Sequence, residues 1–167
     1  MRILWQKYTK LTQVNIYHPA FAYNAHQKGV DMIDFAQLPK VAYEEMNQVH
    51  AEEVELLNRL EVLLSVPAVD SDAVDAVLEE MMVHTRGHFG NEERLMREVG
   101  FPAYPMHQGE HARALNEMQF VIADWRNRLD KVALRSYFLE TIPAWLHQHI
   151  ATMDTMTARF ICMHKGC

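Results

Sequence analysis

The chain of 167 residues contains little glycine and little proline, with six of each. Average usage would give about 12 glycines and about 8 prolines in a chain of this length. Because these residues make turns, their scarcity favours a few long helices over many short strands. Hydrophobic residues at 49% and charged residues at 23% are ordinary for a globular protein and exclude wholesale disorder.

Three further absences exclude classes of protein. No stretch of 18 apolar residues occurs, and no apolar run follows the basic residues near the start, so neither a membrane span nor a secretory signal is expected. A net charge of −6 lacks the basic excess of a nucleic-acid surface. The two cysteines, Cys162 and Cys167, could at most pair with each other, so the expected protein is reduced and cytoplasmic.

Most glycines and prolines fall between four long segments whose apolar residues have helical spacing. Helices of this length with short connections predict an all-α fold, an antiparallel up-down-up-down four-helix bundle. The predicted helices cover residues 39–64, 71–99, 105–129 and 132–162.

The domain organisation follows from these helices. Residues 39–162 are the predicted bundle, and residues 163–167 are a C-terminal tail. Residues 1–38 form an N-terminal extension that is rich in aromatic side chains, so we expect it to pack on the bundle. Pro143 lies inside the fourth helix, where its missing N–H should kink or interrupt the helix.

Histidine is abundant, with ten residues and no consecutive run that would indicate a tag. On a helix, residues four apart lie on one face, so His88 with Glu92 and His107 with His111 can present paired ligands. Imidazole and carboxylate groups suit first-row metals such as iron, and such sites are built in bundle cores. Each predicted helix contributes at least one histidine. The candidate ligands are His50, His88, Glu92, His107, His111, His149 and Asp154.

Seven ligands are too many for one ion, but they suit two ions if both carboxylates bridge. The spacing from His149 to Asp154 is five residues, which turns the two side chains apart on a regular helix. Two arrangements could bring Asp154 to the same site as His149. Either its carboxylate reaches back along the helix, or the helix widens locally into a π turn.

These residues, in this order, closely resemble the hemerythrin family of non-haem diiron oxygen-binding proteins. The resemblance covers about residues 44–158. The matching segments are HFGNEERLM at 88–96, YPMHQGEH at 104–111, WLHQHI at 145–150 with Asp154, and His50 followed by LNRL at 57–60.

The resemblance implies a four-helix bundle that holds two inequivalent iron ions. One ion would keep an open position at which molecular oxygen binds for storage, delivery or sensing. In the implied arrangement, His107, His111 and His149 hold one iron, His50 and His88 hold the other, and Glu92 and Asp154 bridge them together with an oxo or hydroxo group.

Three residues depart from the family pattern. Glu53 replaces a leucine that lines the oxygen pocket, and it either points at the open iron or is a solvated residue beside other acids. His84 replaces an aromatic residue one turn before His88, and it is a further ligand, an outer partner of the site or a boundary histidine. Asn47 replaces an aspartate that orients His50.

Two alternatives to an oxygen-binding protein remain. The first is a diiron oxidase or peroxidase that acts on oxygen, peroxide or nitric oxide, with Glu53 or His84 as proton donor. The second is an iron or redox sensor that signals through residues 1–38. A ferritin-like oxidase is disfavoured because that class uses more carboxylates than imidazoles.

Overall fold

The computed structural model describes residues 33–167, and these form the predicted antiparallel four-helix bundle. Helix α1 is Glu44–Ser65, α2 is Ser71–Val99 and α3 is Tyr104–Arg128. The fourth rod, α4, joins three α-helical segments through two π turns. Its parts are Lys131–Ser136, the π turn Tyr137–Thr141, Ile142–His149, the π turn Ile150–Asp154, and Thr155–Lys165.

Helix α1 begins five residues later than predicted. The side chain of Asn47 accepts a hydrogen bond from the backbone N–H of Val41 and donates one to its carbonyl oxygen, at 2.9 and 3.0 Å. These bonds hold the preceding segment against the first turn, and Tyr43 is extended. Pro39, the predicted first residue of this helix, therefore lies before it, because the side chain of Asn47 pairs with the backbone of Val41 in the segment that follows the proline.

The other helix boundaries follow local chemistry closely. Asp70 caps α2 by accepting hydrogen bonds from the N–H groups of Asp72 and Ala73. Gly100 ends α2 in the left-handed conformation, at φ 66°, which glycine adopts without strain. Pro105 lies in the first turn of α3, as predicted.

Pro143 does not break α4. The π turn Tyr137–Thr141 precedes it, and the N–H of Ile142 reaches back five residues to the carbonyl of Tyr137. A widened turn gives the proline ring room where a regular helix would place a carbonyl against it. The rod therefore continues through the proline, and the expected interruption takes the form of a π turn.

The start of the described chain lies against α1. The side chain of Asn58 accepts a hydrogen bond from the N–H of Ile33 and donates one to its carbonyl, at 2.8 and 2.9 Å. A short 3-10 turn, Phe35–Gln37, follows. The N-terminal extension was predicted to pack on the bundle. Its residues 1–32 lie outside the residues that the structure describes.

The apolar core fills one end of the bundle. Its largest cluster joins the C-terminal half of α1, the N-terminal half of α2, the C-terminal half of α3 and the start of α4, with Leu60, Leu78, Met118 and Phe138 among its members. A smaller cluster around Met46 and Ile150 lies toward the other end. The helix halves between these clusters carry the predicted ligands.

Helix α4 extends three residues beyond its predicted end, to Lys165. Cys162, in its last turns, forms a disulfide with Cys167. The expectation of reduced cysteines is therefore wrong, because the turn after the helix returns the chain to within bonding distance. Among residues 33–167, none of the helices is long and apolar enough to cross a membrane.

Candidate metal centre

The structure brings all seven predicted ligands together in the interior of the bundle. Helix α1 supplies one, α2 and α3 supply two each, and α4 supplies the remaining two. Each of these residues is at least 95% buried. They are His50 on α1, His88 and Glu92 on α2, His107 and His111 on α3, and His149 and Asp154 on α4.

The π turn Ile150–Asp154 solves the spacing problem between His149 and Asp154. The N–H of Thr155 bonds to the carbonyl of Ile150, five residues earlier, so the helix is widened by one residue here. Residues five apart then lie on the same side of the rod. The Oδ1 atom of Asp154 is 3.1 Å from Nε2 of His149, which confirms the predicted local widening.

Three imidazoles converge on one point. The Nε2 atom of His149 is 2.9 Å from Nε2 of His107 and 3.3 Å from Nε2 of His111. One carboxylate oxygen from each acid joins them, since Glu92 Oε2 is 3.3 Å from His111 Nε2 and Asp154 Oδ1 is 3.2 Å from His107 Nε2. Three nitrogen and two oxygen donors therefore surround a common centre.

Two imidazoles form a second group beside the first. The Nε2 atom of His88 is 3.0 Å from Oε1 of Glu92, and the Nε2 atom of His50 is 3.3 Å from Oδ2 of Asp154. Each acid thus turns one oxygen toward the three-histidine group and the other toward the two-histidine group. Each carboxylate therefore lies between the two groups of imidazoles.

The donor atoms fit a cation because they are buried without adequate partners. Within residues 33–167, Nε2 of His50, Oε2 of Glu92 and both oxygens of Asp154 have no hydrogen-bond partner. An unpaired buried polar atom costs about 1–3 kcal/mol, and more when it is charged. A metal ion would satisfy all of them at once, so the chemistry of the donor set fits metal binding.

The electrostatics keep both acids ionised. Burial and the neighbouring Asp154 oppose charge on Glu92, but the imidazole of His88 helps to lower the pKa of Glu92 to about 2. Burial also opposes charge on Asp154, yet His107 and His149 hold its pKa well below the usual value. Both acids are therefore anionic ligands at neutral pH.

The histidines differ from one another in basicity. Burial disfavours the protonated form of His88, but Glu92 and Glu53 outweigh burial and raise the pKa of His88 well above its usual value. Burial lowers the pKa of His111, and neighbouring imidazoles lower it further against the opposing carboxylate of Glu92. The pKa shifts of these two histidines therefore run in opposite directions.

Aromatic and polar residues support the ligands from outside. Phe89 stacks on the ring of His111 at 3.9 Å, and Trp145 stacks on His149 at 4.6 Å. The hydroxyl of Thr157 lies 3.0 Å from Nδ1 of His107. Phe89 and Trp145 lie inside the sequence segments that match the family, so the sequence marked them as part of the site. Nothing in the sequence marked Thr157, because its contact with His107 joins α4 to α3.

The three departures from the family pattern lie in different places. Asn47 bonds to the backbone of Val41 and to Glu44, so the expectation that it orients His50 is wrong. Glu53 is buried, with 2% of its surface exposed, so it is not a solvated residue. Its Oε2 atom lies 3.5 Å from Nδ1 of His88, on the outer side of that ring.

His84 occupies a boundary position between Glu53 and the surface. Its side chain is 15% exposed, and its Nδ1 atom is 3.6 Å from Oε2 of the exposed Glu52. Potential ligand atoms of His84, Glu53 and His88 lie within 4.8 Å of one another. His84 is therefore close to the outer side of His88 and separate from the seven-residue cluster.

Comparison with known proteins agrees with this centre. Residues 41–161 match the family model described as the hemerythrin HHE cation binding domain. A bacteriohemerythrin of Aquifex aeolicus is 35% identical over 114 residues, which cover 68% of this chain and 86% of that protein. A bacteriohemerythrin of Stenotrophomonas maltophilia is 29% identical over 137 residues, covering 81% of this chain and 77% of that protein.

Proposed function

We propose that this chain, which belongs to the hemerythrin family, is a non-haem diiron protein that binds molecular oxygen. The observation that carries the proposal is the division of the donors into three and two histidines. Two carboxylates with one oxygen turned toward each group support two ions rather than one. The relatives' name, bacteriohemerythrin, supports oxygen as the ligand.

The proposed ligand set leaves the two ions unequal. Three imidazoles, two carboxylate oxygens and a shared oxo or hydroxo group would give six donors at one iron. The other iron would have two imidazoles, two carboxylate oxygens and the same shared group, which would leave one position for a small ligand. His107, His111 and His149 would hold the first ion, His50 and His88 the second, and Glu92 and Asp154 would bridge.

Such a centre supplies the electrons and the open position for reversible oxygen binding, and the chain supplies a dry and rigid environment. The stacked rings of Phe89 and Trp145 cover two of the ligand imidazoles. The N–H of the Trp145 indole donates to Glu110 at 3.1 Å, which fixes the orientation of the indole. The two covered imidazoles, His111 and His149, are buried, with 0% and 4% of their surfaces exposed.

Oxygen binding predicts a reversible spectral change. The reduced, iron-loaded protein should gain a visible absorption band in air and lose it on removal of oxygen. His107→Ala should abolish the band because it removes a ligand of the first iron, whereas His147→Ala should retain it because His147 is exposed. Immediate oxidation without a stable oxygenated form would contradict an oxygen carrier.

A diiron oxidase or peroxidase is the second candidate, because a buried carboxylate, Glu53, lies against the outer side of the candidate ligand His88. Such an enzyme would consume peroxide or oxygen continuously with a supplied reductant and would not accumulate an oxygenated form. Glu53→Leu should then restore a stable oxygenated form. An unchanged rate of oxidation in that variant would remove Glu53 from the account.

Iron binding should weaken as the pH falls. The pKa of His88 is raised well above 6.5 in the metal-free site, which favours a second ring proton, on the Nε2 atom that faces Glu92, and the metal must displace this proton. The affinity for ferrous iron should rise by about tenfold per pH unit below that raised pKa for one displaced proton. Competition titrations with a chelator between pH 6 and pH 8 would measure it; an affinity independent of pH would contradict this protonation state.

Oxygen or a related small ligand is the proposed partner, and the acidic net charge of −6 argues against nucleic acid as another. The disulfide Cys162–Cys167 joins two residues that are five apart at the end of α4, after the last candidate ligand, Asp154.

A further inference from the structure

Glu53 is a buried acid that the seven-ligand centre does not use. It lies on α1 one turn after His50, and 2% of its surface is exposed. Its Oε1 atom accepts a hydrogen bond from the hydroxyl of Thr85 at 3.3 Å. Its Oε2 atom has no hydrogen-bond partner among residues 33–167. A buried carboxylate oxygen in this state requires a donor or a cation.

The donor is available on His88. The Nε2 atom of that ring faces the centre, 3.0 Å from Glu92, and is the nitrogen that would bind metal. The ring proton must then reside on Nδ1. This atom also has no hydrogen-bond partner within the described part of the chain, and Oε2 of Glu53 is 3.5 Å away. Ordinary N–H···O hydrogen bonds are about 2.7–3.2 Å long, so the proposed bond requires these two atoms to approach by a few tenths of an ångström.

The position of Glu53 distinguishes it from a ligand of the open iron. Its carboxylate approaches the outer nitrogen of His88 and not the nitrogen that faces Glu92. His84 lies beside Glu53, and its Nδ1 atom is 3.6 Å from the carboxylate of the exposed Glu52. The negative charge of Glu53 is therefore held behind the imidazole, in a low-dielectric environment where it acts strongly.

We propose that Glu53 is a positioning residue that accepts the Nδ1 proton of His88 in a hydrogen bond and stabilises the oxidised state of the two-histidine iron. A carboxylate behind a ligand imidazole fixes the ring orientation and raises its basicity. Greater negative charge near the iron favours the higher oxidation state. The inference rests on the proposed diiron centre and adds to it a residue that sets its redox balance.

Two substitutions separate the charge from the hydrogen bond. Glu53→Gln keeps an oxygen that can accept the Nδ1 proton but removes the charge, whereas Glu53→Leu removes both. Both variants should shift the redox equilibrium of the centre toward the reduced form by at least about tenfold per electron, which corresponds to about 59 mV. Only Glu53→Leu should also lose iron affinity, by about 10- to 100-fold.

The matched control is Glu55→Gln, which removes one charge from an exposed position on the same helix. It should leave both the reduction potential and the iron affinity at the wild-type values. The measurements are spectroelectrochemical titration of the iron-loaded protein and competition with a chelator. A potential in Glu53→Gln equal to that of the wild type would overturn the proposal.

The number of metal ions per chain shows whether the role proposed for Glu53 or the diiron centre itself is wrong. A third metal ion per chain that is lost in Glu53→Gln would show that Glu53, with His84, is a ligand, and this would also overturn the proposal. Fewer than two iron ions in the wild-type protein would instead refute the diiron centre. Retention of two iron ions with unchanged potentials would refute only the role of Glu53.

Discussion

Replacement of Asp154 by alanine is expected to empty the metal centre of both iron ions. The side chain of Asp154 is fully buried. Its Oδ1 atom lies 3.1 Å from His149 and 3.2 Å from His107, and its Oδ2 atom lies 3.3 Å from His50. One substitution would therefore remove a donor from each ion and one of the two carboxylates that bridge them. Iron content per purified chain should fall from two to near zero.

The control for this variant is a destabilised protein with an intact centre. Leu134→Ala removes a buried side chain of α4 from the apolar core and should cost about 2–5 kcal/mol of stability. It should nevertheless retain two iron ions, because no ligand is touched. If Asp154→Ala also retained two ions, the bridging role of this carboxylate would be wrong.

Removal of iron is expected to destabilise the fold substantially. Seven polar side chains converge in the interior, and several of their donor atoms have no partner within residues 33–167. At a free iron concentration about 1,000-fold above the dissociation constant, binding stabilises the native state by about 4 kcal/mol. For a chain of this size, that corresponds to a loss of about 8–16 °C in melting temperature on chelation.

Differential scanning calorimetry of loaded and chelated protein measures this effect. Asp154→Ala provides the control, since a variant that binds no iron should melt at the same temperature with and without chelator. Equal melting temperatures for loaded and chelated wild-type protein would contradict a centre that stabilises the native state.

Much of the architecture was predictable because local signals and tertiary packing agree. The helix ends at Asp70, Gly100 and Pro105 follow capping and turn chemistry that acts within a few residues. The ligand pairs on α2 and α3 follow from the four-residue period of a helix. The five-residue spacing between His149 and Asp154 predicted either a carboxylate that reaches back or a widened turn, because a regular helix turns the two side chains apart. The structure contains the widened turn.

The remaining features depend on contacts between distant segments. The sequence does not indicate that the side-chain amide of Asn47 bonds to the backbone of Val41. Because of these bonds, α1 begins at Glu44 and not at residue 39. The direction of Glu53 depends on Thr85 and His88 across the interface with α2. A helical period places a residue on a face, but the side-chain rotamer and the neighbouring helix decide which nitrogen of an imidazole it approaches.

The most direct test of the account is diffraction from crystals of the iron-loaded protein at the iron absorption edge. The account predicts two anomalous peaks in each chain. One should lie among His107, His111 and His149, and the other between His50 and His88, with both carboxylates shared between them. A single peak, or a carboxylate oxygen of Glu53 bound to either ion, would contradict it.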